Sequence, residues 1–326
     1  MSKPLISVEK VSKIFVTGGT FRAKSYIKAV DEVTLEINEN EILALVGESG
    51  CGKSTLGRLM LGLLKPSSGH IYYDGKDIWS LKGKEFREFR RNAQLIPQDP
   101  YSTLNPMKKV VSALTPPLLH YKIARNRREA RKIAAELLTM VGLYPPEDFF
   151  NRFPCRLSGG QLQRIAIARA ISVHPKFIVA DEAVSMLDAS LRIEILNLLL
   201  DLKDKLKTAY LFITHDFAIA RYFARNGRIA VMYLGNIVEV GRTEEIIQKP
   251  IHPYTQALLA AVPVPDPKIA RSREPPKLKS LEVPSLINPP SGCKFHTRCP
   301  YAEKICSEKA PELREVKGRM IACHMF

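Results

Sequence analysis

Gly47-Glu48-Ser49-Gly50-Cys51-Gly52-Lys53-Ser54-Thr55 is the stretch on which the reading of this chain turns. Its spacing is G-x-x-x-x-G-K-S-T, that of a phosphate-binding loop. Ile42-Leu43-Ala44-Leu45-Val46 ahead of it predicts a buried strand, and Leu56-Gly57-Arg58-Leu59-Met60-Leu61 behind it predicts a helix. Strand, loop and helix in that order are the context the motif requires. Glycines let successive backbone N–H groups turn towards phosphate oxygens, and the helix N-terminus adds partial positive charge. Lys53 can reach β- and γ-phosphates, and the Ser54 hydroxyl can hold Mg²⁺. The plainer alternative is a glycine-rich turn before an ordinary helix. Cys51, beside helix N–H groups and Lys53, is expected to favour its thiolate and to react with maleimide; a buried, inert thiol is the alternative.

The chain has 326 residues, 45% of them hydrophobic, enough for one large domain and an appendage. Its net charge of +16 favours anionic partners such as nucleotide, nucleic acid or an anionic membrane leaflet, or simply a solvated basic surface. No apolar run approaches the ~20 residues of a spanning helix. With no signal-peptide pattern at the start, the expectation is a cytoplasmic protein. Of six cysteines, four fall in the last 34 residues. A reducing compartment disfavours disulfides, so that cluster reads first as a metal site.

Short strands are expected at residues 5–8 and 11–15, then a loop over 17–28, then the alternating, half-exposed strand Val33-Thr34-Leu35-Glu36-Ile37. Together they suggest a small antiparallel layer. Phe15 is the first candidate for an aromatic platform under adenine and Tyr26 the second; a core phenylalanine is the alternative. Asp74-Gly75 after Ile71-Tyr72-Tyr73 reads as a hairpin turn. A strand over 93–98 ends in Gln98. Residues 99–170 read as mostly helical, with Ile133, Ala134, Leu137, Leu138 and Val141 on one stripe and arginines 125, 127, 128 and 131 solvated. Leu157-Ser158-Gly159-Gly160-Gln161-Leu162-Gln163-Arg164 opens a helix with Ser158 at its N-cap. A strand over 176–180 delivers Asp181 and Glu182 at its carboxyl end, where open α/β sheets bind ligands. Asp188 precedes a helix from about 189 to 206, and a strand over 209–214 leads into His215.

Leu157-Ser158-Gly159-Gly160-Gln161 resembles the signature of ABC-type ATPases. Its order and spacing relative to the phosphate loop, Gln98, Asp181-Glu182, Asp188 and His215 match that family over residues 1–240. His252-Pro253-Tyr254-Thr255-Gln256-Ala257-Leu258-Leu259, with the proline-rich, cysteine-bearing tail, resembles the ATPase subunits of bacterial and archaeal dipeptide/oligopeptide importers through to Phe326. The resemblance implies an α/β P-loop ATPase sheet core with an antiparallel β-subdomain, a helical signature subdomain at about 99–170, and a small Cys-rich C-terminal extension. The ATP-binding domain would cover residues 1–250 and the extension 251–326.

The likeness also implies roles. ATP with Mg²⁺ would be held by Gly47, Ser49, Gly50, Cys51, Gly52, Lys53, Ser54 and Thr55, with Ser54, Gln98 and Asp181 serving Mg²⁺. Glu182 would be the general base that polarises water, Gln98 would touch Mg²⁺ or that water, and His215 the γ-phosphate. Ser158, Gly159, Gly160, Gln161 and Asp188 would serve the ATP of a second ATPase subunit, a paralogue by analogy. Where the family usually reads Pro-Thr-Ser-Ala-Leu-Asp after the glutamate, this chain has Ala183-Val184-Ser185-Met186-Leu187-Asp188; the difference falls on dimer-interface detail, not on catalysis. Two membrane permease subunits, received beside residues 101–106, and an extracytoplasmic solute-binding protein would complete the importer at the cytoplasmic face of the membrane. Peptides are the default solute, with oligosaccharides also imported by similar systems. The rival reading is a soluble ABC-type ATPase on nucleic acid or ribosomes; the single phosphate loop and the lack of a long coiled-coil insertion speak against it, and no nucleic acid is expected.

Cys293, Cys299, Cys306 and Cys323 are spaced C-x5-C-x6-C-x16-C. Zinc ligand pairs are usually two to four residues apart, so an iron–sulfur cluster leads, with zinc next (His296 or His324 replacing a ligand) and uncombined thiols or a disulfide last. Similar tails in peptide-importer ATPases are associated with a [4Fe–4S] cluster, which agrees. A proline-rich connector over 263–290 separates this tail from the core. No cysteine of the tail lies within the nucleotide motifs, so ATP binding is expected to survive Ser substitution of any one of the four.

Overall fold

The computed structural model describes residues 3–18, 24–262 and 278–326. The chain forms two compact units: one built from residues 80–213 with 38–41, the other from 4–37, 42–79 and 214–326.

The second unit carries the phosphate loop. Strands β1 (Ile6–Thr17) and β2 (Ser25–Ile37) form a long antiparallel hairpin, continued by β4 (Ser68–Tyr73) and β5 (Lys76–Asp77) in the order β2-β1-β4-β5. Val33, Leu35 and Ile37 are buried while Thr34 and Glu36 are exposed, as the alternation requires. Two expected strands are one: β1 runs through a bulge, with Lys10 at φ 46° and register shifts between Val8 and Val11. The loop expected over 17–28 is shorter, because Thr17 already pairs with Ser25; its middle, residues 19–23, lies outside the described residues. Asp74 and Gly75 both take positive φ (49° and 71°), the turn a two-residue hairpin needs.

In the same unit β3 (Ile42–Val46) pairs in parallel with β9 (Arg228–Tyr233), which pairs antiparallel with β10 (Asn236–Arg242). All five residues of β3 are buried, hence their unbroken apolar run. The C-terminal extension adds β11 (Arg314–Val316) and β12 (Arg319–Ile321), and β12 pairs with β10. The expected connector falls largely on residues 263–277, outside the described residues.

The first unit holds the parallel strands β6 (Ala93–Ile96), β7 (Phe177–Asp181) and β8 (Ala209–Thr214), with β7 in the middle. Its helices include α2 (Gly83–Asn92), α3 (Val111–His120), α4 (Arg127–Met140) and α5 (Glu147–Phe150); α4 buries Ala130, Ala134, Leu137 and Leu138 and leaves Arg127, Arg128 and Arg131 exposed. Helix α6 (Gly159–Ile171) is mostly buried, and α7 (Ala189–Leu206) follows Asp188. Among the described residues no helix is long and apolar enough to cross a membrane.

Candidate functional site: a nucleotide cradle and its carboxylates

The loop leaving β3 is tight where its glycines stand. A Cβ on Gly47 would lie 2.2 Å from the Met232 carbonyl oxygen, and one on Gly52, at φ 109°, would lie 2.1 Å from the Ala29 oxygen. No side chain could occupy either place. Helix α1 (Lys53–Met60) starts directly after Gly52 with no side-chain cap and no acidic residue in its first turn. Its N-terminus therefore keeps its attraction for an anion. Lys53 is buried, and its Nζ donates to the carbonyl oxygens of Gly47 and Glu48, each at 2.8 Å. The ammonium thus lies against the loop it would share with a phosphate. Ser49 and Gly50 are exposed, Ser54 and Thr55 half-buried.

The expectation for Cys51 is overturned. The thiol is buried, 3% exposed, and burial raises its pKa; the nearby Lys53 ammonium pulls the other way but does not prevail. Phe15 is half-buried on β1, with the Lys13 Nζ 5.4 Å from its ring centre, and Tyr26 is exposed. His215 is exposed, directly after β8.

In the other unit Asp181 is the buried last residue of β7, and Glu182 follows it at φ 46°. A left-handed glutamate is unusual backbone, and such strain gathers at functional sites. The Glu182 N–H donates to the Ile213 oxygen, and its own carbonyl accepts from the Ser185 hydroxyl at 2.9 Å. Gln98, two residues past β6, donates from Nε2 to Glu182 Oε2 at 2.9 Å. The predicted base and the predicted nucleotide sensor are therefore in direct contact.

Ser158 and Gln161 close a reciprocal capping box on α6: Ser158 Oγ accepts from Gln161 N, and Gln161 Oε1 accepts from Ser158 N. Both side chains thus hold the helix start. At Gly160 the helix packs closely on α7: a Cβ there would lie 3.2 Å from Leu191 Cδ1. Asp188 caps α7, accepting from the Leu191 N–H and the Ser190 hydroxyl; these bonds keep its carboxyl ionised below the usual range.

The tail also departs from expectation. Cys299, Cys306 and Cys323 are buried and Cys293 half-buried. Burial pushes the Cys293 thiol up to about 11, and the charges of Cys306, Cys323 and Cys299 push it the same way, so the four share one neighbourhood. Among the described residues, however, no group of three or more His, Cys, Asp or Glu side chains converges as the ligands of a metal ion do. His296 and His324 each engage a backbone oxygen, of Cys293 and Lys309, with one ring nitrogen. The tail does not leave the phosphate loop alone either: Arg298, next to Cys299, pairs with Glu48 of the loop at 3.1 Å. No cysteine of the tail lies in the nucleotide motifs, but through Arg298 the tail touches the phosphate loop itself. Arg298 was marked by no local pattern, and Tyr254, whose hydroxyl accepts the Glu48 N–H, stood in the segment that carries the finer resemblance without a role assigned to it.

Fold and site define an ATP-binding cassette, and the comparisons agree. The "ABC transporter" family matches residues 30–185, and "Oligopeptide/dipeptide transporter, C-terminal region" matches residues 238–306. The putative oligopeptide transport ATP-binding protein YkfD of Bacillus subtilis is 44% identical over 99% of this chain and 96% of its own length. The oligopeptide transport ATP-binding protein OppF of Salmonella typhimurium is 43% identical over 91% of this chain and 87% of its own. Among solved structures, the dimeric post-hydrolysis state of the ATP-binding cassette MJ0796 with ADP and Pi superposes with a TM-score of 0.64 at 32% identity, covering 73% of this chain and 98% of that one. This chain belongs to the ATP-binding proteins of oligopeptide/dipeptide ABC transporters.

Proposed function

We propose that this protein hydrolyses ATP to energise peptide import through a membrane permease, working as a peripheral subunit at the cytoplasmic face of the membrane. The contact between Gln98 and Glu182 carries the catalytic part: a strand-end carboxylate held by an amide that can report on nucleotide. In this reading the loop Gly47–Thr55 binds the phosphates, and Ser54, Asp181 and Gln98 would hold Mg²⁺. The metal would neutralise phosphate charge. Glu182 accepts the proton of the attacking water, and His215 faces the γ-phosphate. Ser158, Gly159, Gly160, Gln161 and Asp188 serve the nucleotide of a second, paralogous ATPase subunit. Two permeases and a solute-binding protein complete the assembly. The relatives named above are transport proteins, which supports this over a soluble ATPase on nucleic acid or ribosomes. Purification of the tagged chain from solubilised membranes tests the choice: two permease subunits should accompany it, whereas DNA or ribosomes in their place would reject the importer.

Cys293, Cys299, Cys306 and Cys323 are the residues that would hold a [4Fe–4S] cluster. The support is their shared neighbourhood and a sequence spacing wider than that of usual zinc ligand pairs. The group would staple the short extension. Elemental analysis of anaerobically purified protein decides between about four irons per chain, stoichiometric zinc, and neither.

A further inference from the structure

Glu48 is the second residue of the phosphate loop, and three different groups fasten it. Its carbonyl oxygen accepts from Lys53 within the loop. Its N–H donates to the Tyr254 hydroxyl at 3.1 Å. Its carboxylate takes both oxygens to the same Arg298 nitrogen, Nη1, at 3.1 Å each. Two of the three groups therefore come from beyond residue 250, and one from the cysteine-bearing tail itself.

Those two groups are themselves fixed. Tyr254, Tyr233 and Phe295 are all buried and pack ring against ring, with centroids 4.5 Å apart for Tyr233 and Tyr254 and 5.3 Å for each with Phe295. The Arg298 guanidinium lies 5.8 Å from the centres of both Tyr233 and Phe295, within reach of a cation–π attraction. His252 Nδ1 accepts the Tyr254 N–H, and the buried Glu239 accepts the His252 N–H while pairing with Arg319 of β12. The loop is tied a second time nearby. Lys294 of the tail donates to the Leu234 oxygen, and the N–H of the next residue, Gly235, donates to the Cys51 oxygen.

We propose that the C-terminal extension positions the phosphate loop, with Arg298 and Tyr254 as positioning residues that act on nucleotide affinity through Glu48. Neither needs to touch ATP. A loop whose amides must converge on phosphate loses affinity when it has to be ordered on binding, and the brace meets that ordering in advance. This gives the His-Pro-Tyr segment and the tail a task in the nucleotide cycle. The inference rests on ATP binding, not on the identity of the transported solute.

Calorimetric titration of the full-length protein with MgATP tests it, using Arg298→Gln, Glu48→Gln, the double variant and Tyr254→Phe. Arg298→Gln should raise Kd about tenfold, and Tyr254→Phe, which keeps the ring in its cluster, should raise it in the same direction. In Arg298→Gln and Tyr254→Phe the maximal hydrolysis rate at saturating ATP should hold within about twofold, so that KM moves and kcat does not. In the Glu48→Gln background Arg298→Gln should add less than about twofold, because the residue it acts through is already altered. An equal cost of Arg298→Gln in both backgrounds would mean general loosening of the tail and would overturn the proposal, as would unchanged affinity in Tyr254→Phe. A chain that fails to bind MgATP without any substitution would overturn the nucleotide reading and this one with it.

Discussion

Glu182 combines two features that a merely structural acid would not need: backbone in the left-handed region and a carboxylate held by an amide at 2.9 Å. Glu182→Gln keeps shape and hydrogen bonding but removes the base. It should leave MgATP binding intact and lower phosphate release at least about 100-fold; near-normal turnover would remove Glu182 from that role. Cys51 illustrates competition at one atom. Lys53 and the helix start favour thiolate, yet burial outweighs them. The native protein should therefore leave Cys51 unmodified by maleimide with or without ATP, and label it once unfolded in urea. A mass spectrum with Cys51 fully labelled in native, nucleotide-free protein would contradict this. Crowding around the loop gives a further expectation. Gly52→Ala places a Cβ against the Ala29 oxygen at a positive φ, so the variant should lose measurable MgATP binding.

The segment His252-Pro253-Tyr254 works as one element, opening the helix Pro253–Ala260. His252 is fully buried, and burial lowers its pKa from 6.5 to about 4, so the neutral ring persists as acceptor for the Tyr254 N–H. Because the folded value is the lower one, the unfolded chain takes up the proton first as pH falls. The contribution is fully present above about pH 6.5 and is lost progressively towards pH 4, with about 2 kcal/mol gone at pH 5. Urea unfolding at pH 7 and pH 5 should show that slope. His252→Asn, which keeps a side-chain acceptor, should flatten it, and parallel profiles would show that another group titrates. How much was legible differs by element. The phosphate loop, the signature helix and the strand bearing Asp181 were readable because each packs its chemistry into a short stretch of fixed spacing. The brace on Glu48 was not, because Arg298 stands 250 positions away, and an ion pair closed by folding leaves no local periodicity. For the same reason the burial of Cys51 could not be seen: Tyr233 and Leu234, which line a cavity of about 190 Å³ with it, come from β9 and the turn after it.

At the scale of the whole molecule the extension is part of the unit that carries the phosphate loop, joined through β12 to β10 and through buried Arg319 to buried Glu239. Substituting any one of Cys293, Cys299, Cys306 or Cys323 with Ser should reduce or abolish bound iron, read by elemental analysis against the unaltered protein. By way of Arg298, it should also weaken MgATP binding. Iron unchanged in all four variants would end the cluster reading. The central claim is that ATP hydrolysis on this chain drives peptide import. Its most direct measurement is uptake of a labelled peptide into proteoliposomes that hold the chain, a partner ATPase and two permeases, with MgATP enclosed in the lumen and the solute-binding protein and peptide added outside. The account predicts ATP-dependent accumulation of peptide in the lumen, abolished by Glu182→Gln on this chain. Accumulation that proceeds equally with Glu182→Gln, or hydrolysis with no peptide movement, would contradict it.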